Sequence, residues 1–199
     1  MSLQELILPL APGFLRFYRT RLTLDLKEIL SFLPEKGTLL DVGCGIGNVV
    51  WEVGRKRPEL QILGIDLDQG LIRLAERFHS LPNVSYRCLP LENMDSCFDC
   101  VSFVDVFHHV PDQEKSALLF SAQRRLNPQG YIFVKDVTSS AEDPAYWMDR
   151  YLSGCRNLWF SCPEGWARFL PESLQIWQSL RGYRFPFGHY YLILGNPKV

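Results

Sequence analysis

The chain has 199 residues, of which 47% are hydrophobic and 22% are charged, as in an ordinary folded domain. This composition excludes a disordered chain, because burial of its apolar side chains can offset the entropy lost on folding. The 21 basic and 22 acidic residues leave a formal net charge of -1. Such a chain lacks the excess positive charge that drives non-specific DNA binding, so we expect no nucleic-acid partner.

Nothing in the sequence indicates export or membrane insertion. No stretch approaches the roughly 20 consecutive apolar residues that cross a bilayer, and the first residues lack the basic start of a signal peptide. We therefore expect a cytoplasmic protein without a membrane span, whose six cysteines are reduced. Cys97 and Cys100 form a single C-x-x-C pair, which is too few ligands for a structural zinc site, so no metal is expected.

Taken in chain order, the predicted elements begin with a helical cap and continue as an alternation of strands and helices. Residues 1–36 are predicted to form an N-terminal cap of one or two amphipathic helices. The predicted strands of the core lie at 38–42, 61–65, 84–86, 100–104 and 131–134. Helical spacing of apolar residues is found from 48 to 53, from 71 to 78, and from 118 to 126, where Asn127-Pro128 is expected to end the helix.

The C-terminal part of the chain has a different character. Residues 137–168 are irregular and rich in aromatic side chains, namely Tyr146, Trp147, Tyr151, Trp159 and Trp166. This insertion is interpreted either as a substrate lid or as a segment whose rings pack against the sheet. A helix is predicted at 172–180 and an added strand at 190–194. The whole chain, 1–199, is expected to form one domain.

The alternation of strands and helices predicts an α/β fold. Strands that are apolar at nearly every position are typical of a parallel sheet buried on both faces. We therefore expect a Rossmann-like, three-layer sandwich around a doubly wound, mostly parallel sheet. Ligands of such folds bind beyond the carboxyl ends of the strands, near the point where strand order reverses.

A glycine-rich turn follows the first predicted strand, in the sequence D-V-G-C-G-I-G-N from Asp41 to Asn48. Asp66, at the end of the second strand, comes 21 residues after Gly45, where a carboxylate can accept two ribose hydroxyls. A dinucleotide site requires glycine where Asn48 stands, and Asp41 would repel a pyrophosphate. The pattern favours a ligand with a ribose, an amino-acid end and no phosphate, which is the form of S-adenosylmethionine.

Residues 38–136 resemble the class I S-adenosylmethionine-dependent methyltransferases, in the small-molecule branch. The matching stretches are 40–47, 64–68, 97–101, 107–112 and 125–131. The resemblance implies a seven-stranded sheet whose last strand is antiparallel. It also implies S-adenosylmethionine as the cofactor.

The resemblance further implies a cofactor site made of Asp41, Gly43, Cys44, Gly45, Asp66, Leu67, Leu91 and Val104. In that family the glycines pass under the methionine part, Asp41 supports the loop and the ammonium group, and Asp66 binds the ribose. Leu67 is expected against the adenine. Many relatives carry an Asp at the position of Pro90, so adenine recognition is expected from backbone groups near Leu91 or from Glu92.

Candidate catalytic residues follow the fourth and fifth strands. They are His108, His109 and Asp136, with Asp105 as a further candidate base. The D/N-P-P-Y/F motif of amide and adenine methylation is missing after the fourth strand, in the stretch 103–107, and no Pro-Cys dipeptide offers a cytosine nucleophile. The expected acceptor is a small, partly apolar molecule, free or tethered to a carrier protein, and methylated at oxygen rather than at nitrogen or carbon. A non-catalytic nucleoside-binding module and a nicotinamide-dependent oxidoreductase remain alternatives, and the oligomeric state is left open.

Overall fold

The computed structural model describes residues 25–138, 158–184 and 187–196. The helices of these residues are α1 (Leu26–Phe32), α2 (Asn48–Lys56), α3 (Gln69–Phe78) and α4 (Asp112–Gln123). The strands are β1 (Gly37–Val42), β2 (Leu60–Asp66), β3 (Val84–Cys88), β4 (Phe98–Val104), β5 (Leu126–Thr138), β6 (Gln175–Arg184) and β7 (Phe187–Gly195). Short 3₁₀ segments lie at Leu91–Asn93, Phe107–His109 and Pro163–Phe169.

The strands form one seven-stranded sheet in the order β3-β2-β1-β4-β5-β7-β6. Strands β1 to β5 pair in parallel, and β7 runs antiparallel to both of its neighbours, β5 and β6. Strand order reverses between β1 and β4, which places a ligand crevice beyond the carboxyl ends of these two strands. The predicted doubly wound sheet and its antiparallel last strand are confirmed.

Each face of the sheet is covered by its own apolar cluster, which gives the three predicted layers. On one face, α1, α2 and α3 pack onto the sheet through buried residues such as Ile29, Val53 and Ile72. On the other face, α4 and the Pro163–Phe169 segment pack through Leu119 and Trp166. Because both faces are covered, the central strands are apolar on both sides, as expected for a parallel sheet.

Local signals explain where the helices begin. Asp68 caps α3, because its Oδ1 accepts hydrogen bonds from the backbone N–H groups of Gly70 (2.6 Å) and Leu71 (3.2 Å). Gly47 caps α2 in the left-handed conformation and offers no side chain. The start of α2 therefore depends on the turn that precedes it.

One predicted element and one predicted helix end are wrong. The helix expected at 172–180 is strand β6, which pairs with β7. Its register shifts between Ile176 and Gln178, and this bulge breaks the two-residue alternation, so the apolar positions imitate helical spacing. The helix expected to end at Asn127-Pro128 ends at Gln123 instead, and Leu126 already belongs to β5, where it pairs with Phe98.

Parts of the predicted cap and insertion lie outside the described residues. In the cap 1–36, the structure describes α1, and residues 1–24 are outside it. In the insertion 137–168, residues 139–157 are outside it, which includes Tyr146, Trp147 and Tyr151. Within the described part of the chain, no helix is long and apolar enough to cross a membrane.

We predict that Trp166→Ala strongly destabilises the fold. Trp166 is fully buried, and its ring contacts those of Phe107, Phe169 and Tyr190. Removing such a side chain leaves a cavity and should lower the free energy of unfolding by about 3–5 kcal/mol in urea denaturation. Trp177→Ala, at a position 37% exposed, is the matched control and should cost less than half as much. Equal losses would contradict the assignment of Trp166 to the core.

Candidate functional site at the carboxyl ends of the strands

The turn between β1 and α2 requires glycine at three positions. Gly43, Gly45 and Gly47 have φ angles of 72°, 55° and 79°, a region that favours residues without Cβ. Space is also limited, since a Cβ on Gly43 would lie 2.8 Å from Val106 Cγ2, and one on Gly47 would lie 2.6 Å from the hydroxyl of Tyr86. The predicted tight turn with a closely approachable backbone is present.

The end of β2 holds this glycine loop in place. The backbone N–H groups of Gly43 and Cys44 donate to the carbonyl of Ile65 at 2.8 Å and 3.0 Å. Asp66 accepts from Gly45 N–H through Oδ2 at 2.8 Å and from Asp68 N–H through Oδ1 at 3.0 Å. Both carboxylate oxygens keep further acceptor capacity, because a carboxylate offers about four lone-pair sites.

Asp66 is followed by an exposed apolar residue, Leu67. The Leu67 side chain is 75% exposed, which is unusual for a large apolar residue, while Asp66 itself is half-buried. An exposed leucine beside a carboxylate at a sheet edge provides an apolar surface next to a polar anchor. Such a surface can contact a ligand that has both an apolar and a polar part.

Asp41 is a buried residue of β1, two residues before Gly43. It is 3% exposed, and its Oδ1 accepts a hydrogen bond of 2.6 Å from the hydroxyl of Ser102, the residue beside it on β4. Cys44 is also buried, and burial together with Asp41 and Asp66 raises the pKa of its thiol, which therefore stays neutral. The Asp41 carboxyl group is thus held by β4 close to the start of the glycine loop.

The remaining predicted cofactor residues, Leu91 and Val104, are buried. Leu91 is 3% exposed and begins the 3₁₀ segment Leu91–Asn93, directly after Pro90. Val104 is 5% exposed and ends β4. The two side chains belong to apolar clusters on opposite faces of the sheet. Glu92 is exposed, so near Pro90 the described chain presents backbone groups and one exposed carboxylate.

His108 and Asp136 form a buried pair at the ends of β4 and β5. The side chains are 2% and 1% exposed. Asp136 Oδ1 accepts from His108 Nδ1 and, at 2.8 Å, from the N–H of Val137, while Oδ2 accepts from the His108 N–H at 2.9 Å. Because a carboxylate can only accept, the His108 proton lies on Nδ1 and the ring orientation is fixed.

His109 and the end of the insertion surround this pair. The ring centroids of His108 and His109 are 3.9 Å apart, and Phe160 stacks on His108 with an interplanar angle of 2°. His109 is half-buried. The N–H of Trp159 donates to the His108 carbonyl at 2.7 Å, so residues from the end of the insertion border the histidine.

Buried Lys115 fixes the same segment to α4. Its Nζ donates to the carbonyl of Trp159 and to the hydroxyl of Ser161, both at 2.8 Å, and it pairs with Asp112. The lysine is fully buried, and a buried ammonium group is stable only when it is paired and hydrogen-bonded. The segment that begins at residue 158 is therefore anchored beside His108.

Asp105 has a structural role at the end of β4. Among the non-glycine residues that the structure describes, it is the one with positive φ, 58°. Its carboxylate pairs with the fully buried Lys135, and its N–H donates to the Lys135 carbonyl at 2.8 Å. The carboxylate is held by an ammonium group, which does not favour the predicted role of Asp105 as a proton acceptor.

Sequence reasoning missed two residues that contact the glycine loop. His79 contacts the Ile46 carbonyl through Nδ1 at 2.6 Å, and Tyr86 occupies the space beside Gly47. The only sequence signal for His79 is its place directly after α3, which gave no reason to connect it with a loop 33 residues earlier. Within the described residues, no cluster of His, Cys, Asp and Glu is arranged to hold a metal ion.

Comparison with curated proteins finds relatives among methyltransferases. A phthiotriol/phenolphthiotriol dimycocerosates methyltransferase of Mycobacterium ulcerans is 31% identical over 60% of this chain and 45% of its own length. A tRNA N(3)-methylcytidine methyltransferase of Schizosaccharomyces pombe is 27% identical over 61% of this chain and 54% of its own length. The chain spans about half the length of the curated relatives it matches.

Solved structures share the fold. Magnesium protoporphyrin IX methyltransferase of Synechocystis was solved with bound S-adenosylhomocysteine (SAH). It superposes with a TM-score of 0.67 at 13% identity, over 92% of this chain and 84% of that one. A family model described as a methyltransferase domain matches residues 14–185. Since that match covers most of the sequence, this chain belongs to the methyltransferase-domain family.

Proposed function

We propose that this protein transfers a methyl group from S-adenosylmethionine to a hydroxyl oxygen of a small, partly apolar acceptor. The observation that supports the proposal most is the glycine loop, which is tied to the carboxylate of Asp66 through Gly45. A loop of this shape, with a carboxylate and the exposed Leu67 beside it, suits a phosphate-free nucleoside.

The residues at the carboxyl ends of β1 and β2 fit this cofactor. Asp66 would accept the two ribose hydroxyls, and Leu67 would cover the adenine. Gly43, Cys44 and Gly45 would let the methionine part lie close to the backbone. Asp41 would favour the ammonium group through its charge, since opposite charges attract strongly in a partly buried site.

When bound, the cofactor supplies a methyl group that is already activated on a sulfonium sulfur. The protein's task is then to hold the acceptor oxygen in line with that methyl group, which is a proximity effect. A hydroxyl acceptor must also lose its proton as the new bond forms, because its neutral oxygen is a weak nucleophile.

We assign the proton acceptor to His108. Its Nδ1–H donates to Asp136, so the lone pair of the neutral ring lies on Nε2. When the methyl group passes from the sulfonium sulfur to the acceptor oxygen, so that the S–C bond breaks and an O–C bond forms, Nε2 would take up the hydroxyl proton. Asp136 then acts as a positioning residue that fixes the tautomer, in the way a third group orients the base of an activated nucleophile.

The rings near this histidine support the acceptor class. Phe160 stacks on His108, and Phe107, the residue before it, packs against Trp166 in an apolar cluster. Aromatic walls with few polar groups bind apolar or aromatic molecules. We infer that the insertion 137–168, anchored at its end through Lys115, is a substrate lid, and that the N-terminal cap 1–36 closes the cofactor side of the same domain.

Two alternative functions are disfavoured by particular residues. A nicotinamide-dependent oxidoreductase is disfavoured by Asn48 in place of glycine and by Asp41 beside the loop, where a carboxylate would repel a pyrophosphate. A non-catalytic nucleoside-binding module would bind the cofactor without transferring methyl groups. The oriented imidazole of the His108–Asp136 pair favours the catalytic function over this module.

The first prediction concerns Asp66. Asp66→Ala should weaken binding of SAH about 10- to 100-fold in calorimetry, because the ribose loses acceptor oxygens and Gly45 loses its partner. Asp95→Ala, at an exposed position before β4, is the matched control and should bind as the wild type does. Failure of the wild-type protein to bind SAH would refute the proposed cofactor.

The second prediction concerns the histidines. With an aliphatic alcohol as acceptor, His108→Gln should lower kcat by about 10²- to 10⁴-fold with the Kd for SAH unchanged, because the proton acceptor is lost. Asp136→Asn should lower kcat in the same direction, since the ring loses its orientation. His109→Gln is the matched control and should retain most of the activity.

The acidity of the acceptor provides an internal check on the same variants. Phenols acidic enough to ionise need no proton acceptor, so the deficit of His108→Gln should shrink along a series of increasingly acidic phenols. A larger loss in His109→Gln than in His108→Gln would move the role to His109. Methylation of tRNA instead of small molecules would contradict the proposed acceptor class.

A further inference from the structure

His79 connects α3 to the glycine loop. It follows the last residue of α3, and its backbone N–H still donates to the Ala75 carbonyl at 2.8 Å. The side chain is not directed to solvent, because the residue is only 2% exposed. The imidazole of His79 therefore lies inside the protein, and its ring centroid is 5.5 Å from that of Trp51.

The ring of His79 contacts the loop directly. Its Nδ1 lies 2.6 Å from the carbonyl oxygen of Ile46, the residue between Gly45 and Gly47. A carbonyl oxygen only accepts hydrogen bonds, so Nδ1 must carry a proton and donate it. This contact fixes the orientation of the peptide that joins Ile46 to Gly47.

Tyr86 supports both His79 and the loop. Its hydroxyl donates to the His79 carbonyl at 3.1 Å, and its ring fills the space beside Gly47. Burial raises the pKa of Tyr86 far above its usual range, so the phenol keeps the proton that it donates. His79 is therefore held at its backbone while its ring holds the loop.

The loop is thus fixed from two directions. The end of β2 holds its first half, through Ile65 to Gly43 and through Asp66 to Gly45. His79 and Tyr86, from α3 and β3, hold its second half at Ile46 and Gly47. The contact from His79 is a side-chain hydrogen bond to that second half.

We propose that His79 is a positioning residue for the cofactor: by holding the Ile46 carbonyl it keeps the glycine loop in the shape that receives the methionine part. The proposal rests on the proposed function, because it assumes that S-adenosylmethionine lies on this loop. The ribose and adenine lie on Asp66 and Leu67, so they depend less on the second half of the loop.

The test compares two ligands and three variants. Asparagine places an N–H donor near the position of Nδ1, whereas glutamine and leucine do not. His79→Gln and His79→Leu should weaken SAH about 5- to 20-fold in calorimetry, the effect of one lost buried hydrogen bond. His79→Asn should bind SAH within threefold of the wild type. Adenosine lacks the methionine part, so its Kd for every variant should stay within twofold of its Kd for the wild type.

The outcomes separate positioning from general stability. Equal weakening of SAH and adenosine would overturn the proposal, as would unchanged SAH binding in His79→Gln or failure of His79→Asn to restore it. If His79→Leu does not fold, the comparison of His79→Asn with His79→Gln still tests the proposal. If the wild-type protein binds neither ligand, the proposed function itself fails, and this inference fails with it.

Discussion

The turn from β1 into α2 constrains everything at the carboxyl edge of the sheet. Three of its five residues, Gly43 to Gly47, have positive φ, and neighbouring side chains leave no room for Cβ atoms on Gly43 and Gly47. A backbone in this conformation is stable only when its polar groups are bonded. Asp66 supplies one such bond to Gly45, so the carboxylate shapes the loop as well as offering oxygens to a ribose.

The ends of β4 and β5 carry two buried pairs on opposite faces, Lys135–Asp105 and His108–Asp136. Lys135 and Asp136 are neighbours on β5, so their side chains leave the strand in opposite directions. Lys135 holds Asp105, whose positive φ turns the chain out of β4, while Asp136 holds His108. Each carboxylate has a partner, as buried charges require. Val106, between Asp105 and His108, lies against Gly43 and so brings the end of β4 next to the glycine loop.

The sequence predicted the parts of this architecture that depend on local chemistry. Buried strands appeared as apolar runs, and the glycine loop with Asp66 appeared as a motif, since turn geometry restricts residue types directly. Strand β6 was misread as a helix because a bulge at Trp177 hides its alternation. The contact of His79 with Ile46 was not predictable, because it depends on how α3 packs against the loop and leaves no periodic trace.

A crystal structure of the protein grown with SAH would test the central claim most directly. The account predicts the nucleoside beyond the carboxyl ends of β1 and β2, with both ribose hydroxyls on the Asp66 carboxylate and the adenine against Leu67. It also predicts the Ile46 carbonyl still bonded to His79 beneath the methionine part. A nucleoside bound elsewhere, or an Asp66 carboxylate turned away from the ribose, would contradict it.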